Sequence, residues 1–420
     1  MKIVIYRPYS EIWFKNQTSR IISDTKLPNK YEGLFDYLTN SQASIYLSTG
    51  LIYGPGIRGL IDSLRDALRL IVWCLVNRIN LRKIKPVFSK NGLRDKDVLY
   101  LMYYGNFTDE QEATAKQGRV LATELAGIPI HKVVHMTHFA YNANIGSENL
   151  AILKPDLLVA ENNLFANSPF YKKYFSHITS NFLCLPYTPA ARFTRNVSFD
   201  SRTNKLVVTG SITYKMRDKE FVDFYGLDEL QPMRRVIFQK CSLYPEQIVS
   251  LIYDWDATRI QDKTVQKNKL SSLIRRKLTL VRWIGRMAKI LPAQRGYNSY
   301  YSMNIVDVYN SYTMFAVPEE VCNLPAIGFI EGMACGAAYV GLDDPMYRDI
   351  GMIPGEHYIA YDGSMDDLVA KIDYYQKRRS ELEAIASKGY EFAHSRMNPQ
   401  VVYGELLNEL TSINKDTQPA

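Results

Sequence analysis

Short apolar runs and longer amphipathic segments alternate along the chain, and this alternation constrains the fold more than any other feature. In the first half, strand candidates are separated by segments of helical periodicity. Parallel strands need a crossover connection of a dozen or more residues, which a helix supplies. The pattern therefore predicts an α/β fold, a parallel sheet with helices on both faces. The strand candidates of this half are 2–6, 44–49, 97–104, 131–136, 156–161 and 181–186.

A break in this periodicity divides the chain. Residues 187–204 show no period and have turn-rich ends, so we predict a linker between two domains. A chain of 420 residues is too long for one ordinary domain. We expect doubly wound domains over 1–186 and 205–397, then a C-terminal helix and tail over 398–420. The strand candidates of the second domain are 206–210, 235–239, 313–317, 337–341 and 357–360.

Several segments carry helix signals. Thr108 and Gln111 have the spacing of a capping box that opens a helix, which stops near Gly127, and Ser364 and Asp367 have the same spacing. Two more helices are expected over 378–395 and 400–413. The helix predicted over 57–81 carries one apolar stripe, formed by Ile57, Ile61, Leu64, Leu68, Ile71, Leu75 and Ile79.

The positive charge is concentrated in one segment. The chain has a formal net charge of +8, whereas residues 263–295 hold ten Lys/Arg and no acid. Leu270, Ile274, Val281, Ile284 and Ala288 follow a helical stripe there, with Trp283 beside it. This pattern is typical of a helix in a membrane interface. Binding of RNA or of an acidic partner, and a buried helix with a solvated basic side, are the alternatives. Arg78, Arg82, Lys83 and Lys85 form a second basic patch.

Other sequence features favour a cytoplasmic protein that rests on a membrane. The N-terminus lacks the features of a secretory signal, and the most apolar stretch, 68–76, is too short to span a bilayer. Five scattered cysteines without metal-type spacing predict reduced thiols. No glycine-rich phosphate loop or dinucleotide fingerprint is present, so kinase, ATPase and dehydrogenase functions have little support.

One acid stands out in the apolar segment AIGFIEGMACGAAYVG, residues 326–341. We predict a helix over 325–335, opened by Asn323 and Pro325 and ended by Gly336, with Glu331 inside it. A helix N-terminus attracts anions such as a diphosphate, and a carboxylate can accept two hydrogen bonds from a ribose diol. Together these features indicate a nucleotide-sugar site. A surface glutamate on an ordinary helix is the alternative.

The same segment resembles the donor site of retaining GT-B glycosyltransferases, the Glu-x7-Glu type of group 1. Residues 132–142, 156–175, 183–193 and 206–215 resemble further segments of that family in the same order. The resemblance implies two Rossmann-like domains facing a cleft. It also implies a transfer without a metal ion and with no cofactor beyond the nucleoside-diphosphate sugar.

The resemblance assigns roles to individual residues. Glu331 would bind the donor ribose, His138 would contact the transferred sugar, and Lys215 with Arg217 would neutralise the leaving diphosphate. Two positions depart from the motif: its first Glu is Asn323, with Glu319 and Glu320 as the nearest acids, and its usual Arg is Ser211. The remaining donor-binding residues implied by the match are Gly210, Pro325 and Ala326.

We therefore expect a hexosyltransferase of surface polysaccharide or lipopolysaccharide synthesis, acting on a lipid-linked glycan at an anionic membrane surface, without nucleic acid as a partner. Two alternatives stay open: a nucleotide-sugar epimerase of this fold, and a catalytically degenerate scaffold. Asp254 and Asp256 form an Asp-x-Asp pair, which binds a divalent metal in glycosyltransferases of the other major fold. His135 and His138 lie three apart on a predicted strand, so they face opposite sides and a shared metal is not expected.

Overall fold

The protein, seen here in a computed structural model, forms two parallel β-sheets in succession along the chain. The structure describes residues 1–6, 29–48, 56–76, 79, 83–108, 115–212, 216, 218–254 and 303–415. The basic segment 263–295 and the predicted helix start at Thr108 and Gln111 lie wholly or partly outside these residues. None of the described helices combines the length and apolar character needed to cross a bilayer.

The first sheet has seven strands, all paired in parallel, in the order β3-β2-β1-β4-β5-β6-β7. Its strands are β1 (Lys2–Tyr6), β2 (Ser44–Ser48), β3 (Ile84–Pro86), β4 (Val98–Leu101), β5 (His131–His135), β6 (Leu157–Ala160) and β7 (Asn181–Cys184). Its helices are α1 (Asn29–Asn40), α2 (Gly56–Val76), α3 (Ala115–Ala126), α4 (Ala143–Leu153), α5 (Leu164–Asn167) and α6 (Pro169–Phe175).

The second sheet has five parallel strands in the order β12-β11-β10-β8-β9. Its strands are β8 (Thr203–Ile212), β9 (Ile248–Asp254), β10 (Tyr312–Ala316), β11 (Ala338–Leu342) and β12 (Ile359–Tyr361). The helices are α7 (Lys219–Tyr225), α8 (Pro232–Lys240), α9 (Ile305–Ser311), α10 (Gly328–Ala334), α11 (Pro345–Arg348), α12 (Met365–Gln376), α13 (Arg379–Ser395) and α14 (Pro399–Lys415).

The predicted order of strands is largely confirmed, with one error and two omissions. Residues 235–239, predicted as a strand, lie in α8. Pro232 occupies the first turn of that helix, and the buried residues Arg234 and Ile237 are three positions apart, which is a helical spacing. The edge strands β3 and β9 were not predicted. The helix start at Ser364 is confirmed, because the Ser364 hydroxyl accepts a hydrogen bond from the Asp367 amide at 3.1 Å. The capping box is not completed, since the Ser364 amide donates to Asp362 Oδ1 at 2.8 Å and not to Asp367.

Elements from both halves share a continuous apolar core. The last helix, α14, returns to the first half and packs on α1, where the Tyr37 and Tyr403 rings lie 6.4 Å apart. The hydroxyls of Thr188 and Tyr403 are hydrogen-bonded at 3.1 Å. At another point, α7 of the second half packs on α6, where Phe170 stacks on Tyr225 with 5.6 Å between ring centroids. The two halves therefore contact each other at two separate places.

The apolar stripe predicted on residues 57–81 has an unexpected environment. Helix α2 is anchored by Leu70 and Cys74, which are 2% and 1% exposed. The six stripe residues within α2, together with Leu60, are instead exposed to solvent. Only Ile79, beyond the end of α2, packs against the core. The stripe is thus a surface feature.

Candidate functional site

An arginine that no sequence motif indicated lies at the carboxyl end of β8. Arg234 of α8 is 7% exposed, and its Nε and Nη1 donate to the carbonyl oxygens of Pro318 and Ser211 at 2.8 and 2.9 Å. Pro318 follows β10, so the guanidinium bridges the ends of two adjacent strands. Gly210 has φ +132°, and a Cβ there would lie 3.1 Å from the Arg234 Cζ. Glycine is required here, because a side chain would disfavour this φ and would crowd the Arg234 guanidinium.

Glu331 is a buried carboxyl group in the first turn of α10. It is 7% exposed, and burial raises its pKa to about 7. The positive charge of Arg192 opposes this shift and the negative charge of Glu32 adds to it. No described residue donates a hydrogen bond to the carboxylate of Glu331. A buried acid that titrates near neutrality without a protein donor is a candidate for binding a ligand.

Glu319 is an equally buried glutamate with a different environment. Its Oε1 accepts hydrogen bonds from Tyr339 Oη at 2.8 Å, Tyr347 Oη at 2.5 Å and the Leu342 amide at 3.1 Å. Burial raises its pKa, and these three bonds act against that rise. Glu319 therefore joins β11 and α11 to the end of β10. Glu320, the other acid considered near the motif, accepts from Gln231 Nε2 at 2.9 Å.

The segment before Glu331 corrects the predicted helix start. Helix α10 begins at Gly328 and not at residue 325, and Ile327 occupies the capping position without a side-chain bond. Pro325 is buried and Ala326 half-buried ahead of the helix. The predicted end is confirmed, because Gly336 has φ +75° and terminates the helix in the left-handed region. With seven residues, α10 is too short for its dipole alone to form an anion site.

Asn323 sits at a contact between the two halves and does not cap α10. Its φ is +63°, its carbonyl oxygen accepts a hydrogen bond from Asn162 Nδ2, and its own Nδ2 donates to Asp344 Oδ2 at 3.3 Å. Asn162 comes shortly after β6, so Asn323 joins the first half to the second. A left-handed conformation outside glycine is uncommon and often marks a functional or junction site.

His138 lies in the turn between β5 and α4, at the carboxyl end of the first sheet. Its φ of 60° is left-handed, and its half-buried ring stands edge-on to Tyr103 and Tyr141 at centroid distances of 6.2 and 5.8 Å. The same turn reaches the second half, since the Asn142 amide donates to Asp218 Oδ1 at 2.9 Å. The turn is thus held in a strained conformation between the two sheets.

A buried polar cluster lies next to this turn and was not foreseen. Glu161, 1% exposed, accepts hydrogen bonds from Thr137 Oγ1 at 2.8 Å and Tyr187 Oη at 3.0 Å. His135 Nε2 is 3.4 Å from the same carboxylate oxygen, and His135 Nδ1 is 3.0 Å from Tyr100 Oη. These groups come from the ends of β4, β5 and β6 and from the segment that follows β7. The only sequence sign was a charged residue directly after a buried strand.

The remaining predicted site residues fall outside this arrangement. Lys215, Arg217 and Asp256 lie outside the described residues. Asp254 ends the edge strand β9, where its Oδ2 accepts from Arg235 Nη1 at 3.1 Å; Arg235 also pairs with Glu229. The geometry thus brings Gly210, Ser211 and Arg234 together at the end of β8. It places Asp254 in an ion pair at the edge of the same sheet.

Comparison with known proteins agrees with this fold. Residues 289–408, which include Glu331, match a family model described as glycosyl transferase-like. No curated protein sequence gives a significant match. The match confirms the predicted enzyme class, a glycosyltransferase, at that general level.

Solved structures of similar architecture cover the whole chain. HepE from Anabaena in complex with UDP aligns with a TM-score of 0.52 at 12% identity, over 98% of this chain and 100% of HepE. HepE with UDP and glucose, and with UDP-glucose, each align with a TM-score of 0.50 at the same identity and coverage. This similarity confirms the predicted fold of two Rossmann-like domains, known as GT-B.

Proposed function

We propose that the protein transfers a sugar from a nucleoside-diphosphate donor to a glycan, with the donor bound at the carboxyl ends of β8 and β10. The observation that carries this proposal is Glu331, a buried carboxyl group without a described hydrogen-bond donor inside the glycosyl transferase-like segment. A ribose diol offers the two hydroxyl donors that such a carboxylate lacks. HepE, whose fold is shared, binds UDP and UDP-glucose, and we therefore propose a uridine donor.

The chain also offers groups for the charge and the sugar. Arg234 places a positive charge beside Gly210, which lies a few residues before Lys215 and Arg217 in the sequence, where the family resemblance positions the donor diphosphate. His138, held between two tyrosines, would face the transferred sugar. With these cations we propose a retaining transfer that needs no divalent metal. Positioning and charge stabilisation would then supply the catalysis.

The acceptor is proposed from the basic segment 263–295. Ten cations and an apolar stripe suit an acceptor carried on lipid in an anionic leaflet, as in surface polysaccharide assembly.

The proposed metal-free mechanism is tested by chelation. Transfer should survive EDTA. Loss of transfer on chelation, restored by manganese, would move the reaction to a metal site and contradict the metal-free mechanism.

The donor site is tested by thermal shift with UDP, ADP, GDP and CDP on the full chain. UDP should raise the melting temperature of the wild type, and Glu331→Gln should remove most of that rise. Glu319→Gln is the matched control: it lowers the melting temperature without UDP, because two tyrosines and an amide lose their acceptor charge, and it keeps the UDP response. If Glu331→Gln retains the full UDP response while Glu319→Gln loses it, the donor site is wrongly assigned.

A further inference from the structure

An exposed row of apolar side chains runs along α2, on the first half of the molecule. Seven of the sixteen exposed large apolar residues in the described part of the chain lie on this one helix face, between 43 and 79% exposed. The other nine are scattered over the remaining surface. A helix of 21 residues is about 30 Å long, so the row is a continuous feature and not an isolated residue. Contiguous apolar surfaces of this kind mark interaction sites.

The described side chains of this helix form two bands of different exposure. Leu70 and Cys74 lie on the buried band that holds α2 on the protein. The exposed row occupies the next band. Positions 58, 65 and 69 of the same helix are all arginine, so three cations accompany the exposed row in the sequence. Cations bordering an apolar face are the arrangement of helices that lie in the plane of a membrane interface.

The positive charge around the exposed row indicates which partner would bind it. Residues 58–85 contain seven Lys/Arg and two Asp, an excess of five positive charges. A second copy packed on the row would bring two segments of net positive charge together. The basic segment 263–295 of the same chain is also cationic and would be repelled. An anionic lipid surface complements both the apolar row and its flanking charge.

We propose that α2 is a membrane-docking helix, which lies in the interface of an anionic phospholipid leaflet with its exposed row among the acyl chains. With five charged residues among its 21, α2 is not apolar enough to span the bilayer, although its length would suffice. The proposal rests on the surface of the first half and does not depend on the proposed reaction. It adds a docking surface on the opposite domain from the basic segment 263–295.

The test is co-sedimentation of the full chain with vesicles of phosphatidylcholine, with and without phosphatidylglycerol. Wild type should bind only the anionic vesicles. Leu64→Ser with Leu68→Ser should weaken binding at least about tenfold at low and at high salt. Arg65→Gln with Arg69→Gln should weaken it about tenfold at low salt and less at high salt. Leu243→Ser with Ile353→Ser, equally exposed on other elements, is the matched control and should bind as wild type.

Three results would overturn the proposal. Unchanged vesicle binding by Leu64→Ser with Leu68→Ser, together with loss of binding by Arg275→Gln, Arg276→Gln and Lys277→Gln, would assign docking to 263–295 alone. A dimer in solution that this leucine pair converts to a monomer would assign the row to a second copy. A fall in melting temperature for this pair, absent in the control pair, would show that the row is covered within the molecule.

Discussion

At the scale of single residues, two buried glutamates show how environment separates binding from structural roles. Glu319 has three donors and Glu331 has none among the described residues, although the two are 5% and 7% exposed. From the sequence, Glu331 could be singled out because it interrupts an apolar run. Arg234 could not, because it lies 23 residues beyond Ser211 and only the folded chain brings it to that carbonyl.

The raised pKa of Glu331 predicts a pH dependence of stability. In the unfolded chain this carboxyl group titrates near its ordinary value of 4.5, and in the folded protein its pKa is about 7. Between these values the folded state holds a proton that the unfolded state has released, so the free energy of unfolding falls as pH rises. The loss approaches ~3 kcal/mol above neutrality.

Chemical denaturation without ligand measures this effect. Relative to Glu331→Gln, which cannot ionise, the wild type should lose stability between about pH 5 and about pH 8. A stability difference that stays constant over this range would mean that Glu331 is ionised in the folded protein throughout.

The left-handed backbone of His138 allows the role of its imidazole ring to be tested separately from the role of its backbone. Because φ is 60°, glycine fits this position better than any other residue. We expect His138→Gly to stay within about 1 kcal/mol of wild type in stability, to keep UDP binding, and to lose transfer by about 10²-fold or more. Denaturation, UDP titration and turnover measure the three effects. Normal turnover in this variant would remove His138 from the reaction.

At the scale of elements, the sequence pattern predicts most strands of the first sheet correctly and fails for a short apolar run in the second half. The strands of the first sheet other than β3 were predicted to within a few residues. The run RVIFQ was misassigned, because a short apolar run has no distinctive period and its helical burial is decided by tertiary packing. The exposure of the α2 row could not be predicted either, since an apolar helical stripe ordinarily faces a core.

Because α7 packs on α6, we expect the loss of a large side chain in this contact to destabilise the protein strongly. Phe221 is fully buried, lies 6.3 Å from the Phe170 ring, and links the two halves. Phe221→Ala should lower the free energy of unfolding by about 3–5 kcal/mol, through lost burial and a cavity. Phe238→Ala in α8, which is 41% exposed, is the control and should cost less than about 1 kcal/mol. Equal small effects in denaturant titrations would show that α7 does not anchor the halves.

At the scale of the whole molecule, two parallel sheets meet through contacts that run from one half to the other. Asn162 reaches Asn323, the Asn142 amide reaches Asp218, and α14 returns to α1. The two-domain order was predictable from alternation and length. These contacts were not, because each joins residues far apart in sequence with no local pattern. They place the turn of His138 beside the second half, as the proposed reaction between the two sheets requires.

The position of the nucleotide is measured most directly by amide hydrogen exchange with and without saturating UDP. The proposed donor site predicts slower exchange in two stretches of the second half, 206–212 at the end of β8 and 326–336 around Glu331. Glu331→Gln should abolish the slowing in both stretches at the same UDP concentration. Slowing confined to residues 83–184 of the first half, unaffected by Glu331→Gln, would contradict the account.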